Sequence, residues 1–246
     1  MPGMAAAPHI VSCEVLRNEI ERVVADHAPQ ATVEFVPGAL HDYPDRLRAE
    51  LQARIDAAPG DRPVLLCCAR CSNGTVGLRA GRHRLVVPAC DDCIALLLGS
   101  RERYLEEHAR HPGTYYYTRG WIEFIDDPYR EYLKIVPKYG EEKAARLARQ
   151  VLANYTRVAV IETPGVPGVE DHEEYLATVS RFYGLPLVRL RGSLRYLTKL
   201  VTGPHDGEFI VVEPGEELGE ERFWRLQEAA GGGAGSGAVP APGRLP

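Results

Sequence analysis

Of four strand-like runs, "HIVSC" (9–13), "ATVEFVPG" (31–38), "RPVLLCC" (62–68) and "RLVVP" (84–88), the last two lack polar alternation, and that constrains this chain more than any other feature. Runs of this length without a period of two are strands covered on both faces, which is the condition of a parallel sheet. The first two are each followed by a helical pattern, "EVLRNEIERVVADH" (14–27) and "YPDRLRAELQARIDAA" (43–58), the latter opened by Pro44 in its first turn. The order β, α, β, α predicts a doubly wound sheet. "CIALLLGSRERYLEEHARH" (93–111) reads as one helix or as a pair broken at Gly99.

A second α/β set follows the aromatic stretch "TYYYTRGWIEF" (114–124). "EEKAARLARQVLANY" is helical, "RVAVIET" a buried strand, "EDHEEYLATVSRFYG" a helix stopped at Gly184, "LPLVRLR" a strand, "SLRYLTKLVTG" a helix and "EFIVVEPGEEL" a strand and turn. The expected architecture is α/β, two Rossmann-like lobes with mainly parallel sheets. The lobes span 8–118 and 140–230, joined by a helical and aromatic connection over 119–139. The Gly/Pro/Ala-rich end, 231–246, has the composition of a disordered tail.

Five of the six cysteines fall between residues 67 and 93. Cys68 with Cys71 and Cys90 with Cys93 form two Cys-x-x-Cys pairs at the spacing of a four-thiolate zinc ribbon. A ribbon needs each pair on a hairpin, yet Cys93 opens a segment far better suited to a helix. In the sheet reading, Cys13 ends the first strand, His41 follows the second, Cys68 and Cys71 follow the third, and Cys93 follows the fourth. Parallel neighbours lie about 4.8 Å apart, so side chains at their carboxyl ends can converge on one ion. That edge is where open α/β sheets bind ligands. The candidate metal set is therefore Cys13, His41, Cys71 and Cys93, with Cys68 as substitute or extra ligand, around zinc or an iron–sulfur cluster. Cys67 reads as core, and Cys68 and Cys90 each have a core reading as well.

The loop "SNGTVG" (72–77) supplies Asn73, Gly74, Thr75 and Gly77, where backbone N–H groups could cradle an anion or another small-molecule ligand. A plain turn fits it equally, since neither a phosphate-binding loop nor a dinucleotide fingerprint is present. Asp42, Asp91 and Asp92 stand beside the candidate ligands, either as helix caps or as partners that orient the site. A nucleotide-binding enzyme built on the loop ranks below the metal reading, because no acidic ribose-binding residue accompanies it.

Composition removes other classes. A net charge of −5 and a pI near 5.9 leave no basic footprint for nucleic acid. No apolar run approaches a membrane span, and "MPGMAAAPH" lacks the features of a signal peptide, so the expected location is cytoplasmic. Clustered cysteines in that compartment are thiols or metal ligands more often than disulfides.

"LHDYP" (40–44), "CSNGTVGL" (71–78), "RLVVPACDDCIALLLGSRERY" (84–104), "GTYYYTRGWIE" (113–123) and "FIVVEPGEE" (209–217) resemble the family catalogued as domain of unknown function 1638. The resemblance implies Cys or His at the positions of Cys13, His41, Cys71 and Cys93. Through the corrinoid proteins and methyltransferases often encoded beside such members, it also implies one-carbon metabolism. This sequence writes "CCARC" where members often carry "GYGLC", which leaves the role of Cys68 open. Two functions follow as expectations. One is a metal-binding protein that catalyses or assists methyl transfer. The other is a non-catalytic accessory protein, its metal structural or absent, that binds a methyltransferase or corrinoid partner.

Overall fold

A computed structural model gives the architecture and describes residues 7–223, so the tail expected over 231–246 lies outside the described residues. The chain opens with β1 (His9–Cys13), a tight helical turn over Glu14–Leu16 and α1 (Arg17–His27). Next come β2 (Thr32–Val36), a second tight turn over Gly38–Asp42, and α2 (Pro44–Ala57), with Pro44 at its first turn as the sequence predicts. β3 (Val64–Cys67) and β4 (Leu85–Pro88) complete the four expected strands. The helical pair does break at Gly99, whose φ of 93° ends α3 (Cys93–Leu98). Ser100 then caps α4 (Arg101–Arg110) by accepting from the Arg103 amide.

The rest of the chain runs β5 (Thr114–Tyr117), α5 (Arg119–Phe124), α6 (Pro128–Tyr139), α7 (Glu141–Val151), β6 (Arg157–Glu162) and α8 (Glu173–Tyr183). It ends with β7 (Leu187–Arg191), α9 (Arg195–Thr202) and β8 (Phe209–Val212). The first sheet has the order β2-β1-β3-β4-β8, parallel except for β8, and the second has the parallel order β5-β6-β7. Both faces of the first sheet are covered. Ile10, Leu65 and Val86 join the core beneath α1 and α9, while their chain neighbours Val11, Leu66 and Val87 join the core beneath α2. This double burial is why β3 and β4, buried at every position, show no alternation in the sequence.

The route between the sheets departs from the division 8–118, 119–139 and 140–230. β5, read as the end of the first lobe, belongs to the second sheet, and α9 and β8, read as part of the second lobe, return to the first. A four-residue run such as "FIVV" is equally buried in either sheet, so its composition does not say which one it joins. No described helix is long and apolar enough to cross a membrane.

Candidate functional site

In the order β2-β1-β3-β4 the winding reverses between β1 and β3, and the crevice at their carboxyl ends is the geometrically open position of such a sheet. A cavity of about 230 Å³ lies there. Cys13, His41, Cys68, Cys71 and Cys93 all line it, together with Asp91 and Asp92. One wall is aromatic: Tyr104 from α4, Tyr115 and Tyr116 from β5, Trp121 from α5, and Tyr155.

Each strand end delivers its side chain differently. Cys13 is the last residue of β1, directly before the tight turn. Beyond β2 the chain is squeezed between the turn after β1 and the end of α5, so that a Cβ on Gly38 would meet Val15 at 2.9 Å and Ile125 at 2.7 Å. The Gly38 amide donates to Glu14 Oε1 at 2.8 Å. His41 Nδ1 lies 2.7 Å from the Gly38 carbonyl and Nε2 lies 3.0 Å from Asp42 Oδ1, with the ring 5.4 Å from that of Trp121. Both ring nitrogens are thus engaged within the turn, and a ligating role would require one of these contacts to break.

After β3 the backbone takes an unusual path. Cys71, Ser72 and Asn73 hold φ values of 46°, 54° and 69°, three successive left-handed residues without a glycine among them. Each such residue costs roughly 1–2 kcal/mol, and such strain gathers at functional sites. The segment is pinned to the loop after β4, where the amides of Arg70 and Cys71 donate to the carbonyls of Cys90 and Asp91 at 3.0 and 3.1 Å. Asn73, Gly74, Thr75 and Gly77, the expected anion loop, do not line this cavity. The amides of Gly74, Thr75 and Gly77 donate to the carbonyls of Cys71, Arg70 and Leu218, so these donors serve the turn itself. Of the residues in "SNGTVG", Ser72 reaches the cavity.

The two aspartates divide their roles. Asp92 caps α3 by accepting from the Ile94 amide at 2.8 Å, and it also accepts from the Tyr104 hydroxyl at 2.9 Å. Asp91 pairs with Arg70 at 3.4 Å and with Arg101 at 4.0 Å. Cys67 points away from the cavity into the core beneath α1, as read from sequence.

The family model described as "Protein of unknown function (DUF1638)" matches residues 35–201, from β2 through most of α9. The chain belongs to this family. No curated protein and no solved structure matches it. The segment matched as DUF1638 contains every cavity residue named above except Cys13, which is contributed by β1 before the match begins.

Electrostatics set the state of the thiols in this DUF1638 protein. Burial pushes Cys13 up to about 11, partly opposed by the Val15 amide. Burial likewise drives Cys68, Cys71 and Cys93 well above the ordinary thiol value. Charge on Cys13 adds to the effect on Cys68, charge on Cys68 and Cys13 to that on Cys71, and charge on Asp92 and Cys71 to that on Cys93. The four sulfurs therefore sense one another, and without a cation they are neutral thiols. Among the described residues, no group of three or more His, Cys, Asp or Glu side chains is arranged to hold a metal ion. The donor chemistry suits a soft metal, but the side chains are not gathered as ligands. The aromatic wall was not foreseen from sequence. The density of tyrosine in "TYYYTRGW" was its signal, and the reading as a connection hid it.

Proposed function

We propose that the DUF1638 chain is a metal-binding α/β protein whose cavity at the sheet's reversal point takes zinc or an iron–sulfur cluster through Cys13, Cys68, Cys71 and Cys93. The observation that carries this reading is that four thiols from three separate strand ends line one buried cavity, one of them presented by a strained left-handed turn. Uptake of a metal would release the protons of these thiols. Four thiolates could not coexist there uncompensated, whereas a cation among them inverts that electrostatic cost. His41 keeps its contacts with Gly38 and Asp42, and so fixes the position of Trp121.

The reaction we attach to the site is methyl transfer in corrinoid-linked one-carbon metabolism, with a corrinoid protein or methyltransferase as partner. Zinc held by three of these thiolates, with one position open, would lower the pKa of a substrate thiol, whose sulfur would then take the methyl group as the donor leaves with its electron pair. The chain's own residues exclude water with the aromatic wall and hold the ligand beside Cys71 and Cys93. Elemental analysis and an optical spectrum of protein purified without oxygen test the reading, since a cluster absorbs visible light and zinc does not. We expect Cys71→Ser and Cys93→Ser each to lose metal while circular dichroism stays unchanged. Full metal occupancy in both variants, or no metal in the wild type, would remove the proposal.

A further inference from the structure

Cys13 and Cys68 stand in a relation that no other two cysteines of the cavity share. β1 and β3 are parallel neighbours in the register Ser12↔Cys67, so the next pair across the same two strand ends is Cys13 and Cys68. Side chains alternate along a strand. Ser12 and Cys67 lie on one face of the sheet, with Cys67 in the core beneath α1. Cys13 and Cys68 point to the other face and pack in the same core. Cα atoms on adjacent strands lie about 4.8 Å apart, inside the window of roughly 4.4–6.8 Å that a disulfide spans. Both thiols are free and both line the cavity.

We propose that Cys13 and Cys68 form a reversible dithiol–disulfide pair, oxidised by a small peroxide that enters the cavity. Cys13 reacts first, because it is partly exposed, whereas Cys68 is 2% exposed. The Cys13 sulfur attacks one peroxide oxygen as the thiol gives up its proton. The O–O bond breaks, the leaving hydroxide takes up the thiol's proton to become water, and a sulfenic acid remains on Cys13. The Cys68 sulfur then attacks that of Cys13. The S–O bond breaks, and the departing hydroxide carries off the Cys68 proton as a second water. Two electrons pass from the two sulfurs to the peroxide. The disulfide removes two of the four thiols from the cavity, so oxidation prevents metal uptake; this consequence rests on the function proposed above, while the pairing itself does not.

The test uses the full-length chain purified without oxygen, treated with a chelator and then with hydrogen peroxide. The expected result is loss of two of the six alkylatable thiols and a tryptic link between the peptides 1–17 and 55–70. Because Cys67 and Cys68 share a peptide, Cys67→Ala should keep the link and Cys68→Ala should abolish it. A reducing agent should restore both thiols. A link to peptide 71–79 or 85–101 instead, or oxidation that stops at single cysteines without any link, overturns the proposal. The link forming equally fast with and without added zinc would support the pair and count against the metal reading alone.

Discussion

The two sheets bury polar groups in opposite ways. In the second, Asp127 is fully buried and accepts four hydrogen bonds, from the hydroxyls of Tyr117 and Tyr175 and from the amides of Tyr129 and Arg130. Every demand of that carboxylate is met, and the surrounding tyrosines form a rigid aromatic core. At the carboxyl edge of the first sheet, four neutral thiols share a cavity beside three strained residues. Nearby in α1, Glu19 is 5% exposed and its Oε2 has no hydrogen-bond partner. A satisfied buried network stabilises and specifies a fold, whereas crowding and strain left standing at one edge mark where something else binds.

The largest test removes the satisfied network. Asp127→Ala strands two buried tyrosine hydroxyls and uncaps α6, so chemical denaturation should show a loss of about 4 kcal/mol. A loss below that of an ordinary surface substitution would mean the tyrosines, not the carboxylate, hold the second core. Next in size is the contact that brings the two sheets together. A Cβ on Gly120 of α5 would fall 2.0 Å from the Val15 carbonyl oxygen, so Gly120→Ala should cost about 3 kcal/mol. If the melting temperature holds, α5 slides freely over the first sheet and the cavity is not preformed.

Glu19 offers the pH-dependent counterpart to Asp127. Burial pushes its carboxyl from 4.5 up to about 7. The folded state therefore keeps a proton that the unfolded state releases, and stability falls as pH rises from 4.5 towards 7. Glu19→Gln should stabilise by about 2 kcal/mol at pH 8 and by almost nothing at pH 4.5. Urea titrations at the two pH values decide it, and an equal effect at both would sink the assignment. The smallest effect concerns strain. Ser72→Gly relieves a left-handed residue that contributes no core packing, so stability should rise by about 1 kcal/mol, less the entropy glycine adds to the unfolded chain. A fall in melting temperature would show that the Ser72 side chain itself holds the turn.

Much of the fold was legible because local signals govern it. Pro44 and Gly99 mark helix ends through their own backbone preferences, and the unalternating runs report burial on both faces. The cysteine positions were legible for the same reason, since a residue at a strand's carboxyl end is placed by the strand. The destination of β8 was not, because pairing with β4 is decided 120 residues away and leaves no mark in "FIVV". Nor was the engagement of His41 with Gly38 and Asp42, which depends on how Val15 and Ile125 squeeze the turn.

The return of α9 and β8 to the first sheet also orders the protein's birth. During synthesis β4 is made early with one flank open, and the strand that closes it is made only after every strand of the second sheet. An unpaired flank of that kind is a template for pairing with other chains. The half of the molecule that begins first is thus finished last, and the nascent protein carries its unfinished edge through about half of its translation.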